Sequence, residues 1–356
     1  LTLSGANTYT GGTTISVGRI ITTSTGTLGS SAANLTLASG AILDILNSLA
    51  VGTLVMSSDG TSQIVSSAGS SSFTVSGTSS LAGAITTSGV QTYTGSVRLT
   101  GNTTITTTNS AVSFASTVNS ASSTARDLNI TAGSGDVTFT GAVGNTYALG
   151  AIAVDSTGTT TFGSTVNAAS VTTNTGGTTV LNGNVTTTGA QTFNDAVTLT
   201  GNVVLNAPSI TTGSTLAASS NNLTITTDAL ELGGNVSGTG ALVIQPKTNS
   251  TTMAIGGSAS GTLALADAEL ARLTNGFSVI TLGSATGTAA MSINYSSASF
   301  VFADPLVLRS ASGNITATDA LKTGANALTL ATSGAINLAG VNSGALSVTG
   351  ATIALN

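Results

Sequence analysis

There is no cysteine, no histidine and no tryptophan anywhere in this chain. Without cysteine there is neither a disulfide framework nor a thiolate metal site. Without histidine and cysteine, the Ser-His-Asp and Cys-His arrangements of nucleophilic catalysis are excluded. Charged residues make up only 5%, against ~25% in typical domains. The seven basic residues are scattered, so the footprint of a nucleic-acid binder is missing. No apolar run reaches the ~18 residues that would indicate a spanning helix. A membrane barrel would need aromatic girdles, which four tyrosines and no tryptophan do not supply. Membrane insertion by this segment is therefore not expected. With no initiator Met and no signal peptide, the chain reads as a processed product or as a window of something longer.

What remains is a sequence of Ser, Thr, Gly and Asn around recurring Ala, Val, Leu and Ile, with a hydrophobic fraction of 40% and a net charge of −5. Low charge with branched apolar residues argues against disorder. Short apolar-polar-apolar triplets recur at Leu1–Leu3, Leu35–Leu37, Val97–Leu99, Val197–Leu199, Leu223–Ile225, Leu328–Leu330 and Leu346–Val348. Alternation of period two puts both apolar residues of each triplet on one face of a strand. Gly, Asn, Asp and Ser punctuate them with turn chemistry. No helical stripe is sustained, and the best helical candidate, Asp267–Leu273, is a turn or two.

A longer period overlies the triplets. An aromatic residue is followed four positions later by valine at Tyr93/Val97, Phe114/Val118, Phe139/Val143, Phe162/Val166 and Phe193/Val197, in steps of 21, 25, 23 and 31 residues. The phrase Gln91-Thr-Tyr93 … Val97-Arg-Leu-Thr-Gly-Asn102 returns as Gln191-Thr-Phe193 … Val197-Thr-Leu-Thr-Gly-Asn202. Self-similarity at 20 to 50 residues marks a solenoid. Triplets too short to stand alone as hairpins can bury their apolar face if each turn stacks on the next. The expected fold is all-β: a parallel β-helix (β-solenoid) of roughly 15 rungs, forming one continuous rod over 1–356. Its wording changes in style across 1–60, 61–245 and 246–356. The aromatic-x3-Val residues are expected to be core.

These words resemble known families. Leu1–Ile15 is similar to the autotransporter-associated β-strand repeat. Residues 85–205 resemble the β-strand-repeat regions of very large bacterial exoproteins, and residues 266–345 resemble filamentous-haemagglutinin-type exoproteins. The resemblance implies the right-handed parallel β-helix, export to the surface of a two-membraned bacterium, and roles in adhesion, biofilm or extracellular fibres.

No motif carries chemistry. A β-helix lyase or glycosidase would need clustered carboxylates, and the twelve acids are spread along the chain. Stacking can bring Asp127, Asp136 and Asp155 near one another, but turn residues are the simpler reading. Gly133–Phe139 has the outline of a calcium-binding nonapeptide without the tandem copy that would complete it. The threonine runs wander too much for an ice-binding array. No enzyme activity, metal or cofactor is expected. The expected function is a structural extracellular rod, a filament building block or stalk. A glycan- or host-binding adhesin is the alternative, and a polysaccharide-degrading β-helix or an ice-binding protein is a weaker one. The terminal turns show no evident polar cap, so self-contact is the expected partnership, head to tail or as covalent continuation. A surface glycan or a receptor on a host or neighbouring cell would be held where the wording is least repetitive, at Asp267, Glu269, Arg272, Tyr295, Phe300 and Phe302.

Overall fold

Period-two patterning produces strands wherever the triplets stand. The structure, a computed structural model, describes residues 1–296 and 300–355. Strand pairing among the described residues is parallel, and the chain stacks as a β-solenoid of about 18 turns. The single α-helix among the described residues is one turn, Asp267–Leu270. The chain divides into two compact units, Leu1–Gly183 and Asn184–Asn356.

In the first unit the turns are built on three ladders. Strand Val97–Thr106 bends, so its first half pairs with Val118–Ser120 and its second half with Leu128–Gly133. The third ladder carries Gln91–Tyr93 on Val112–Phe114, then Val137–Phe139, then Thr160–Phe162. Alternation places the inward residues in columns. Ile64, Ile85, Ile105 and Ile130 lie in direct register and are fully buried. Val97, Val118, Val143 and Val166 form a second column, the last two steps through isolated bridges. Tyr93, Phe114, Phe139 and Phe162 form a third, with ring centroids 4.9–5.1 Å apart and planes within 10° of parallel. That separation matches the ~4.8 Å spacing of paired strands, so the backbone ladder itself sets the ring stack. Each stacked pair adds about 0.5–1.5 kcal/mol beyond burial. The same strand columns continue past the style change at residue 61, since Leu43 pairs with Ile64 and Ile64 with Ile85.

The second unit has its own columns. Leu205, Ile225, Ile244, Leu282, Leu308 and Leu330 lie in successive register. Between Leu242 and its register partner Ile280 the chain makes an excursion. Within it Met253–Ile255 pairs with both Leu263–Leu265 and Met291–Ile293. Leu263–Leu265 in turn lies against Ala229–Leu232. The later strand thus occupies the earlier level, and the chain after it rejoins the ladder at Leu273, which bridges Val236.

The fifth aromatic pair departs from the expected column. Phe193 and Val197 are buried, but Phe193 is in register with Thr212 and Val197 with Leu216. In the first unit the partner above Phe162 is Leu181, a step of 19 residues rather than 31. The aromatic column therefore ends at Phe162.

Candidate functional site

The corners, where Asn and Asp concentrate, are the place to look for chemistry. A strand leaving a corner has a backbone N–H with no ladder partner, and a short carboxamide or carboxylate from the adjacent turn can accept from it. Asn102 Oδ1 accepts from the Asp127 N–H at 3.1 Å, and Asp127 Oδ1 from the Ala151 N–H at 2.8 Å. Asp136 Oδ1 takes the Thr159 N–H at 2.7 Å, and Asp155 Oδ1 the Asn174 side-chain amide at 2.8 Å. In the second unit Asn202 accepts from Asn222 N–H and Asn222 from Ala241 N–H. Asn and Asp are thus interchangeable staples between turns. Asp127, Asp136 and Asp155 each hold a different place along the turns. Asp127 staples the start of strand Leu149–Ser156, Asp155 lies near that strand's end, and Asp136 staples the start of the next. Among the described residues no group of three or more His, Cys, Asp or Glu is placed to hold a metal ion.

Asp44 and Asp228 are held below the usual carboxylate range by this kind of bonding. Burial pushes Asp44 up, but Ser67 hydroxyl and N–H donors and the Arg19 guanidinium outweigh it. Asp228 behaves alike, its burial outweighed by donors from Thr248, Thr251 and the Lys247 N–H.

The candidate partner surface of the second unit separates into two halves. Asp267 spends both carboxyl oxygens on backbone, Oδ1 on Gly257 N–H and Oδ2 on Ser296 N–H, each at 2.8 Å. Glu269 accepts from Leu232 N–H at 3.3 Å and Ala266 N–H at 3.0 Å. Burial is the main cause that raises its carboxyl above the usual range; Glu231 adds to it, while the two backbone donors and Arg272 oppose it. These acids fasten the excursion to the stack. Tyr295 and Phe302 are buried, at 6% and 3% exposure. Phe300 bridges them, tilted against Tyr295 at 5.5 Å and edge-on to Phe302 at 4.9 Å. Phe300, Val301 and Phe302 line a cavity of about 390 Å³ with Leu270, Leu273 and Ile280. Asp267, Glu269 and Arg272 do not line it. Burial, with Asp319 and Asp267 nearby, raises the Tyr295 phenol.

Sequence reasoning passed over a second pocket, in the first unit, walled by Tyr147. Its signal was available: Tyr147 has Ala151 rather than valine four positions on, so it stands outside the core motif.

Stacked parallel turns, columns of like side chains and Asn/Asp staples define a parallel β-solenoid repeat protein. No family model matches the chain, and no curated protein and no solved structure matches it either.

Proposed function

We propose that this chain is a structural segment of a bacterial surface fibre or giant exoprotein, serving as a filament building block or stalk in adhesion or biofilm and catalysing nothing itself. The observation that carries the reading is that the turns consume their own polar groups. The aspartates described above accept backbone or side-chain donors from adjacent turns, while the apolar residues fill register columns. A protein whose side chains act by packing works through its length and its surface. The resemblance of Leu1–Ile15 and of residues 266–345 to exported repeat proteins is what supports a place outside the cell. Self-contact between copies, or continuation into further turns, is the partnership that goes with it. Few charges leave little repulsion against such contact.

Brief protease treatment of intact cells of the source organism tests the placement. Loss of the chain while a cytoplasmic marker survives is expected, and a chain protected until the cells are broken contradicts it. The denatured mass of the same material then separates the two forms of the proposal. A species near 34.2 kDa is a filament subunit, and one several times larger is a segment of an exoprotein.

A further inference from the structure

The pocket in the first unit lies on the outer side of two paired strands. Outward residues of a ladder stand side by side, and here Arg98 pairs with Asn119. With Ser96 and Thr117 they make a floor of one cation, one carboxamide and two hydroxyls. The wall is the loop after Val143, which leaves the stack and returns at Leu149. Three hydrogen bonds hold that loop. Asn119 Oδ1 accepts from Thr146 N–H at 2.9 Å, Ser120 N–H donates to the Tyr147 carbonyl at 3.2 Å, and Ser120 Oγ donates to the Ala148 carbonyl at 2.8 Å. Its first residue, Gly144, has φ +70°, and a Cβ there would lie 2.0 Å from the Asn167 carbonyl oxygen. Only glycine starts this loop without strain. The result is that Tyr147, 41% exposed, lines the pocket beside that floor.

The pocket encloses about 210 Å³, the room of roughly seven water molecules at ~30 Å³ each. That suits one six-membered ring rather than a long polymer cleft. A sugar ring has an apolar C–H face and a polar edge, which a phenol face and a floor of hydroxyl and amide groups complement. Arg98 donates through Nη2 to the Ala121 carbonyl at 2.9 Å, which fixes the guanidinium and leaves its other N–H donors available. Among the described residues no carboxylate lines the pocket, so the one charge a ligand meets there is positive. We infer that this pocket binds a single carboxylate-bearing sugar residue, with Tyr147 against the ring and Arg98 on the acid group. The pocket gives a structural segment a place to hold an acidic glycan, and it stands or falls independently of the export proposal.

Titration of the full chain with methyl β-D-glucuronide and methyl β-D-glucoside, read by saturation-transfer NMR, tests it. The glucuronide binds about tenfold more tightly at low salt, and added salt narrows the difference, since an exposed guanidinium is screened. Arg98→Gln removes the preference, and Tyr147→Ala weakens both glycosides by about tenfold. Both side chains are exposed, so each variant keeps the parent melting curve. Absence of saturable binding, or binding unchanged in both variants, overturns the site. Equal affinity of the two glycosides for the parent chain overturns the acidic-sugar assignment.

Discussion

Two copies of one phrase, Gln91-Thr-Tyr93 in the first unit and Gln191-Thr-Phe193 in the second, build corners of the same plan that differ by the tyrosine hydroxyl and by a Gln91 Nε2 bond to Thr87 Oγ1 at 3.1 Å. Gln91 Nε2 donates to the carbonyls of Ile85 and Thr106, six residues back and fifteen on; Gln191 Nε2 donates to Val185 and Asn206, at the same offsets. Thr87 and Thr187 each close the preceding turn on the glycine carbonyl two residues later, both at 2.7 Å. In the first copy the Tyr93 hydroxyl donates to Gln91 Oε1 at 2.8 Å. In the second a phenylalanine stands there, and Gln191 Oε1 is buried without a partner. The surroundings differ as well: Tyr93 begins a column of four rings, whereas Phe193 lies in register with Thr212. What recurs in the sequence is therefore a corner, held by local hydrogen bonds, and the level above it is set by other residues.

The largest effect is expected from breaking the column. Phe139→Ala removes a fully buried ring and costs ~3–5 kcal/mol of stability to urea. Phe193→Ala costs about 1–3 kcal/mol less, because Phe139 also loses two stacked neighbours. Equal losses would mean that the ring stack adds nothing to burial. Next comes the missing hydroxyl. Tyr93→Phe leaves Gln91 Oε1 as unsatisfied as Gln191 Oε1 and costs ~1–3 kcal/mol. The reverse change, Phe193→Tyr, supplies the absent donor and stabilises the second unit by ~0.5–1.5 kcal/mol. A destabilised Phe193→Tyr would show the two corners to be less alike than their hydrogen bonds indicate.

The smallest effect contrasts two carboxyls with pH. Asp44 is depressed in the folded chain, so its contribution is present above the ordinary carboxylate value near 4 and fades as pH falls through the folded value. Glu269 is raised, so its contribution is full at low pH and is lost as pH rises through its folded value. Asp44→Asn is therefore expected to cost more at about pH 7 than at about pH 3, and Glu269→Gln less, as read by denaturant unfolding at each pH. The same sign for both would contradict the assignment of burial as the dominant cause at Glu269.

Local bonding at the corners also explains what was legible in the sequence. The strand triplets at Leu35–Leu37, Val97–Leu99, Leu223–Ile225, Leu328–Leu330 and Leu346–Val348 all lie in strands, because period two is a local property. The steps of 21, 25 and 23 residues between successive aromatics are the register of the ladder. The step of 31 is not, and its length was the warning: the same words locked the same corner at another place in the stack. The excursion between Leu242 and Ile280 was legible only as a change of wording. The reversed levels of Met253–Ile255 and Leu263–Leu265 are a tertiary choice that no local pattern encodes. Asp267, Glu269 and Arg272 read as a charged surface cluster because adjacency in sequence does not reveal that both acids turn toward backbone N–H groups.

If side chains act here by packing and turns are interchangeable, a whole turn is dispensable. Removing residues 112–136 joins Ala111 to Val137 and brings Phe139 into register with Tyr93, since Gln91 pairs with Val112 and Val112 with Val137. Circular dichroism and urea unfolding of that shortened chain test the account most directly. The predicted result is an unchanged β signal per residue and a modestly lowered, still cooperative transition. Collapse of the β signal would contradict the account, because it would show that the turn carries something other than its place in the stack.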